Sequence, residues 1–153
     1  MIIAFCGHAN YIENAGDEQR VLSLLEKRVG KGECELFLGE YGGFDSFAYR
    51  CAQKYRAVHP ESRLVFVTPY LMEEYRKNSV EYTKERFDLV LYPPLEKVPP
   101  RYAIARRNRW IVEQADIVIA YITNGYGGAY TMYRYALKKG KEIYNIAPMD
   151  SKL

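Results

Sequence analysis

The chain has 153 residues, 48% of them hydrophobic and 27% charged, which suits one compact domain spanning residues 1–153 and excludes a disordered chain. Its net charge of +3 is compatible with an anionic ligand but too mild to announce nucleic acid, which is therefore the less expected partner. No apolar run reaches the ~20 residues of a membrane-spanning helix, so a soluble, cytoplasmic protein with no membrane partner is expected.

The opening MIIAFCGHAN has neither a basic leader nor a long apolar h-region and reads as a first strand, Ile2 to Cys6, closed by Gly7. A helix is predicted from Asp17 to Val29, with Val21, Leu24, Leu25 and Val29 on one face. Then come a strand over Cys34–Leu38, a helix over Phe44–Val58 and a strand over Leu64–Thr68. Pro69 to Pro100 is polar and then rich in proline, and reads as a surface excursion or lid around a fourth strand, Leu89 to Tyr92. Helix Ala103–Gln114, strand Ile117–Tyr121, helix Tyr130–Lys139 and strand Ile143–Ile146 complete the alternation. Strands apolar on both sides, alternating with helices, predict an α/β fold with a mainly parallel sheet covered by helices.

Cys6, Cys34 and Cys51 are odd in number, far apart and set in apolar sequence, so they read as core residues, and neither a disulfide framework nor a metal site is indicated. Fifteen tyrosines suit a half-buried shell or a subunit interface, and secondarily base stacking. Those crowded along Tyr130, Tyr133 and Tyr135, with Leu137, point to a homo-oligomer.

In an open parallel sheet the carboxyl ends of the strands form the ligand edge, where loops lead into helix amino termini. Three turns are expected there. The first, Gly7-His8-Ala9-Asn10, lets backbone approach a ligand and offers an imidazole to donate or titrate. In the second, Gly39, Gly42 and Gly43 permit positive backbone angles and let N–H groups converge on an anion. Asp45 and Ser46 fall in the first turn of the following helix, where Asp45 serves as a cap before a catalyst. Glu40, between glycines with no packing duty, is a candidate ribose acceptor or base, so Glu40 and Asp45 are the two catalytic candidates. The third turn, YGGAYT at Tyr126–Thr131, echoes YGGFDS at Tyr41–Ser46 and brings Gly127, Gly128 and Thr131 to the same rim. Between them, Arg106 and Arg109, with Asn108, stand on one helix at a spacing that suits bidentate phosphate contact.

These motifs resemble the SLOG superfamily, which contains DprA/SMF and LOG proteins, and most closely its YpsA-like branch. The resemblance is carried by Gly7, by Gly39, Gly43, Asp45 and Ala48, by Arg107, Asn108, Ala115 and Asp116, and by the last glycine turn with Thr131. It implies a Rossmann-like three-layer nucleotide-binding fold with the ligand over the glycine turns. No cofactor is expected. LOG enzymes release a base from a nucleoside monophosphate and carry G-G-x-G-T-x-x-E. Gly127, Gly128 and Thr131 fit that motif, but Tyr130 replaces the third glycine and Arg134 the acid, and a cation cannot act as that carboxylate. The family's upstream arginine corresponds to Arg106 or Arg107. The leading expectation is a module that binds a nucleotide or nucleotide-derived ligand. The alternatives are a nucleotide N-glycosidase using Glu40 or Asp45, and single-stranded nucleic-acid binding of DprA type, with bases stacked on Tyr126 or Tyr130.

Overall fold

The structure is a computed structural model that describes residues 1–70 and 85–148. Its elements are β1 (Ile2–Gly7), α1 (Asp17–Arg28), β2 (Cys34–Leu38), α2 (Gly43–Val58), β3 (Ser62–Val67), β4 (Leu89–Leu91), α3 (Ala103–Gln114), β5 (Ile117–Tyr121), α4 (Gly127–Lys138) and β6 (Glu142–Asn145). A short 3-10 turn, Pro100–Tyr102, leads into α3. The six strands make one sheet in the order β4-β3-β2-β1-β5-β6, and every neighbouring pair is parallel. This is a Rossmann-like α/β fold. Of the expected excursion at 69–100, residues 71–84 lie outside the described residues, and the rest supplies β4, paired with β3.

The strands are apolar on both sides because both faces are covered. Successive side chains of a strand point to opposite faces. Ile3 and Phe5 of β1 therefore join α1 and α2 in one core, with Leu36, Leu64, Phe44 and Phe47. Ala4 and Cys6 join α3 and α4 in the other, with Val118, Ile111, Val112 and Ala136. Cys6, Cys34 and Cys51 are free thiols buried in these layers. Two carboxylates hold the amino ends of strands: Asp116 Oδ2 accepts the Ile2 N–H at 2.7 Å, and Asp88 Oδ2 accepts the Leu64 N–H at 2.7 Å. No helix of the described residues is long and apolar enough to cross a membrane.

The strand order places the site. From β1 the chain moves outward on one side through β2, β3 and β4, and on the other through β5 and β6. Loops leaving the carboxyl ends of β1 and β5 therefore diverge to opposite faces and open a crevice between them, the usual ligand position in such sheets.

Candidate functional site: a cleft between two glycine turns

A cavity of about 370 Å³ occupies that crevice. The β1 end contributes Gly7, His8, Ala9 and Asn10, the β2 end Gly39, Tyr41 and Asp45, helix α3 Arg107 and Asn108, and the start of α4 Asn124, Tyr126, Gly127 and Gly128. Seven of the ligand-site candidates, Gly7, His8, Gly39, Asp45, Asn108, Gly127 and Gly128, thus meet in one cavity, with Arg107, one of the two matches for the family arginine, and Tyr126, named for base stacking. Glu40, Gly42, Gly43, Arg106, Arg109 and Thr131 do not line it.

The two glycine turns are built differently. Helix α2 begins at Gly43, but the Gly43 N–H is given to Ala9 O at 2.7 Å and the Phe44 N–H to His8 O at 3.4 Å. The Tyr41 N–H goes to Asp45 Oδ2 at 2.8 Å. These amides hold the turn against the β1 loop instead of converging on an anion. Of Gly39, Gly42 and Gly43, only Gly42 has a positive φ, at 143°. Gly43 is required by contact, since a Cβ there would lie 2.3 Å from Tyr11 O.

At the other turn, α4 begins at Gly127, three residues earlier than the sequence suggests. Glycine is a poor helix former, yet in a first turn the unsatisfied amides make its small size useful. No acceptor among the described residues receives the N–H of Gly127, Gly128 or Ala129. A Cβ at Gly127 or Gly128 would meet nothing within 4 Å. Thr131 Oγ1 donates to Gly127 O at 3.0 Å, a bond within the helix.

The charged groups sort in the same way. Arg107, not Arg106, turns inward: it is 3% exposed, donates from Nη1 to Val67 O at 2.8 Å and from Nε to Asn108 Oδ1 at 3.1 Å. Its guanidinium lies 5.3 Å from the centre of the Tyr41 ring. Gly39 lets Arg107 and Asp45 come together, because a Cβ there would stand 3.0 Å from Arg107 Nη1 and 3.1 Å from Asp45 Oδ2. Burial pushes the Asp45 carboxyl above the usual carboxylate range, opposed by the Tyr41 N–H and the Arg107 charge. Buried Ala103, Arg107 and Ile111 recur every four residues, so the apolar stripe of α3 carried the signal that Arg107 faces inward. Tyr41, which was not among the candidates, lacked any such signal.

Glu40 has a duty the sequence did not show. Its carboxylate pairs with Arg86, whose guanidinium stacks 4.1 Å from the centre of the Tyr49 ring. It is held outside the cavity, and burial raises its pKa against the pull of Arg86. His8 is buried, and its Nε2 accepts the Thr123 N–H at 3.0 Å. That bond requires the tautomer with the proton on Nδ1, and burial lowers the ring's pKa. Rather than offering Nε2 to a phosphate, His8 ties the β1 loop to the β5 loop. Cys6 donates its thiol to Ala129 O at 3.1 Å, with burial raising its pKa. Among the described residues no group of His, Cys, Asp or Glu could hold a metal ion.

The chain matches no family model and no curated protein. Among solved structures it is similar to DNA processing protein A (DprA) from Streptococcus pneumoniae, at TM-score 0.65 and 16% identity over 97% of this chain and 52% of that one. It is also similar to DNA processing protein A from Helicobacter pylori, a protein with a single-stranded DNA binding mode, at TM-score 0.64 and 18% identity over 99% of this chain and 68% of that one. The chain spans about half the length of the pneumococcal protein. What it shares with the DprA proteins is the Rossmann-like fold.

Proposed function

We propose that the cavity binds one nucleotide unit of a single-stranded nucleic acid, with a phosphate on the amides of Gly127, Gly128 and Ala129. The observation that carries this reading is the open amide cradle at the start of α4, facing a cavity that also holds the Arg107 guanidinium. A helix amino terminus presents oriented N–H groups and partial positive charge to an anion. Tyr126 is 74% exposed at the rim, where its ring can stack on a base. Asp45 acts in this reading as a brace for the Tyr41 amide, not as a base. Similarity to the DprA proteins supports a strand as the source of the nucleotide, and the motif order supports a place in the SLOG superfamily near its YpsA-like branch.

A free nucleotide or nucleotide-derived molecule is the second reading, favoured by a volume of only about 370 Å³, within the range of small-ligand pockets. The test is polarisation of a labelled single-stranded oligonucleotide, with nucleoside monophosphates as competitors. The strand should bind, weaken as salt rises, and lose at least about tenfold, or ~1.4 kcal/mol, in Gly128→Val. Full displacement by a monophosphate at the strand's own concentration would favour the second reading. Absence of binding by both ligands would refute the site.

A further inference from the structure

Beside the cavity lies a second, larger hollow of about 1100 Å³, between α3 and α4. Among the described residues, five cations line it, Arg101, Arg106, Arg109, Arg134 and Lys138, and no aspartate or glutamate does. Its walls also carry Ile104, 38% exposed, and Leu137, 50% exposed, above the buried Met132. Single exposed apolar residues are ordinary on a protein surface. Here they share one groove with a rim of a single charge sign.

We propose that this groove docks an acidic amphipathic helix of a partner protein, with aliphatic side chains against Ile104 and Leu137 and carboxylates toward the arginines. The inference is independent of the nucleotide reading. Each wall is a 12-residue helix, about 18 Å at 1.5 Å per residue, so the groove accommodates roughly three turns of a partner helix with anchors at i, i+3 or i+4, and i+7. Charge selects among occupants. In a two-fold contact between copies, a patch that faces itself would oppose its own cations. A nucleic-acid strand would use the cations but would leave Ile104 and Leu137 without apolar partners. The groove's aromatic faces are also engaged: the Arg101 guanidinium lies 4.8 Å from the centre of the Tyr102 ring, and that of Arg109 lies 5.4 Å from the centre of Tyr135.

The probe is a labelled synthetic peptide with leucine at i, i+3, i+4 and i+7 and glutamate on the remaining face, set against a peptide of the same composition in scrambled order. The patterned peptide should bind the whole protein one to one. It should lose at least about tenfold, as a buried anchor does, in Leu137→Glu and in Ile104→Glu, and a similar amount in the Arg106→Glu, Arg134→Glu double variant. All these side chains are exposed, and circular dichroism confirms the fold of each variant. Oligonucleotide binding should be unchanged in Leu137→Glu. Three results would each overturn the proposal. One is equal affinity for the scrambled peptide, which would mean charge alone. Another is no peptide binding together with oligonucleotide binding lost in the double arginine variant, which would give the groove to nucleic acid. The third is a dimer in sedimentation that Leu137→Glu dissolves, which would give it to a second copy.

Discussion

The turns YGGFDS and YGGAYT are nearly the same words and opposite structures. In the first, glycine is there so that backbone can touch backbone: Gly43 gives its N–H to Ala9 O, and a Cβ at Gly42 would sit 2.6 Å from Ala9 Cα. In the second, the Gly127 and Gly128 amides face open space, with room for added atoms. A glycine pair at a strand-to-helix turn therefore has two physical uses, to seal a joint or to leave a cradle. What lies across from the turn decides between them. The β1 loop occupies the mouth of the first turn, and a cavity stands before the second.

That contrast is breakable, and the largest effect should come from the sealed turn. Gly43→Ala places a methyl against the fixed carbonyl of Tyr11, an overpacking that should cost about 3 kcal/mol in chemical denaturation and take binding with it. The same change in the open turn, Gly128→Ala, should leave the denaturation midpoint unchanged or slightly raised, because alanine is the better helix former by up to about 1 kcal/mol. Equal destabilisation of the two variants would erase the distinction.

Among the described residues Asp45 is the one acid in the cavity lining, and its carboxylate repels a bound phosphodiester whenever it is ionised. Asp45→Asn keeps an oxygen for the Tyr41 amide and should tighten oligonucleotide binding a few-fold. In the parent protein, affinity should rise as pH falls through the raised Asp45 pKa, and the variant should lose that slope.

The smallest effect concerns His8, which joins the two regions through its bond to Thr123. Burial holds its folded pKa below the ordinary imidazole value, so the folded state favours the neutral ring. Below about pH 6.5 the unfolded chain takes up a proton that the folded chain resists. The stabilising contribution is therefore complete above that pH and is lost as pH falls through the folded value. The difference in melting profiles between the parent and His8→Gln should show this acid-side slope.

The sheet was legible because it is written in single residues. Six apolar runs gave six strands with ends shifted by only one or two positions, as at β3, which runs Ser62–Val67 where Leu64–Thr68 was expected. The cavity was legible in outline, since strand ends and glycine turns are local signals. Which groups face it was not. Choosing Arg106 over Arg107 is a rotation of about 100° on a helix, and spacing from Arg109 was a weaker guide than the stripe of Ala103 and Ile111. The partner of Glu40 lies 46 residues away, and nothing near Glu40 in sequence could reveal it. The fate of the Gly43 amide likewise depends on where the β1 loop comes to rest.

Ile104, Asn108, Gly128 and Met132 line both the cavity and the groove. Residues shared in this way cannot shift for one guest without being felt by the other. If a nucleotide tightens the hold on a helix by some factor, thermodynamic reciprocity obliges that helix to tighten the hold on the nucleotide by the same factor.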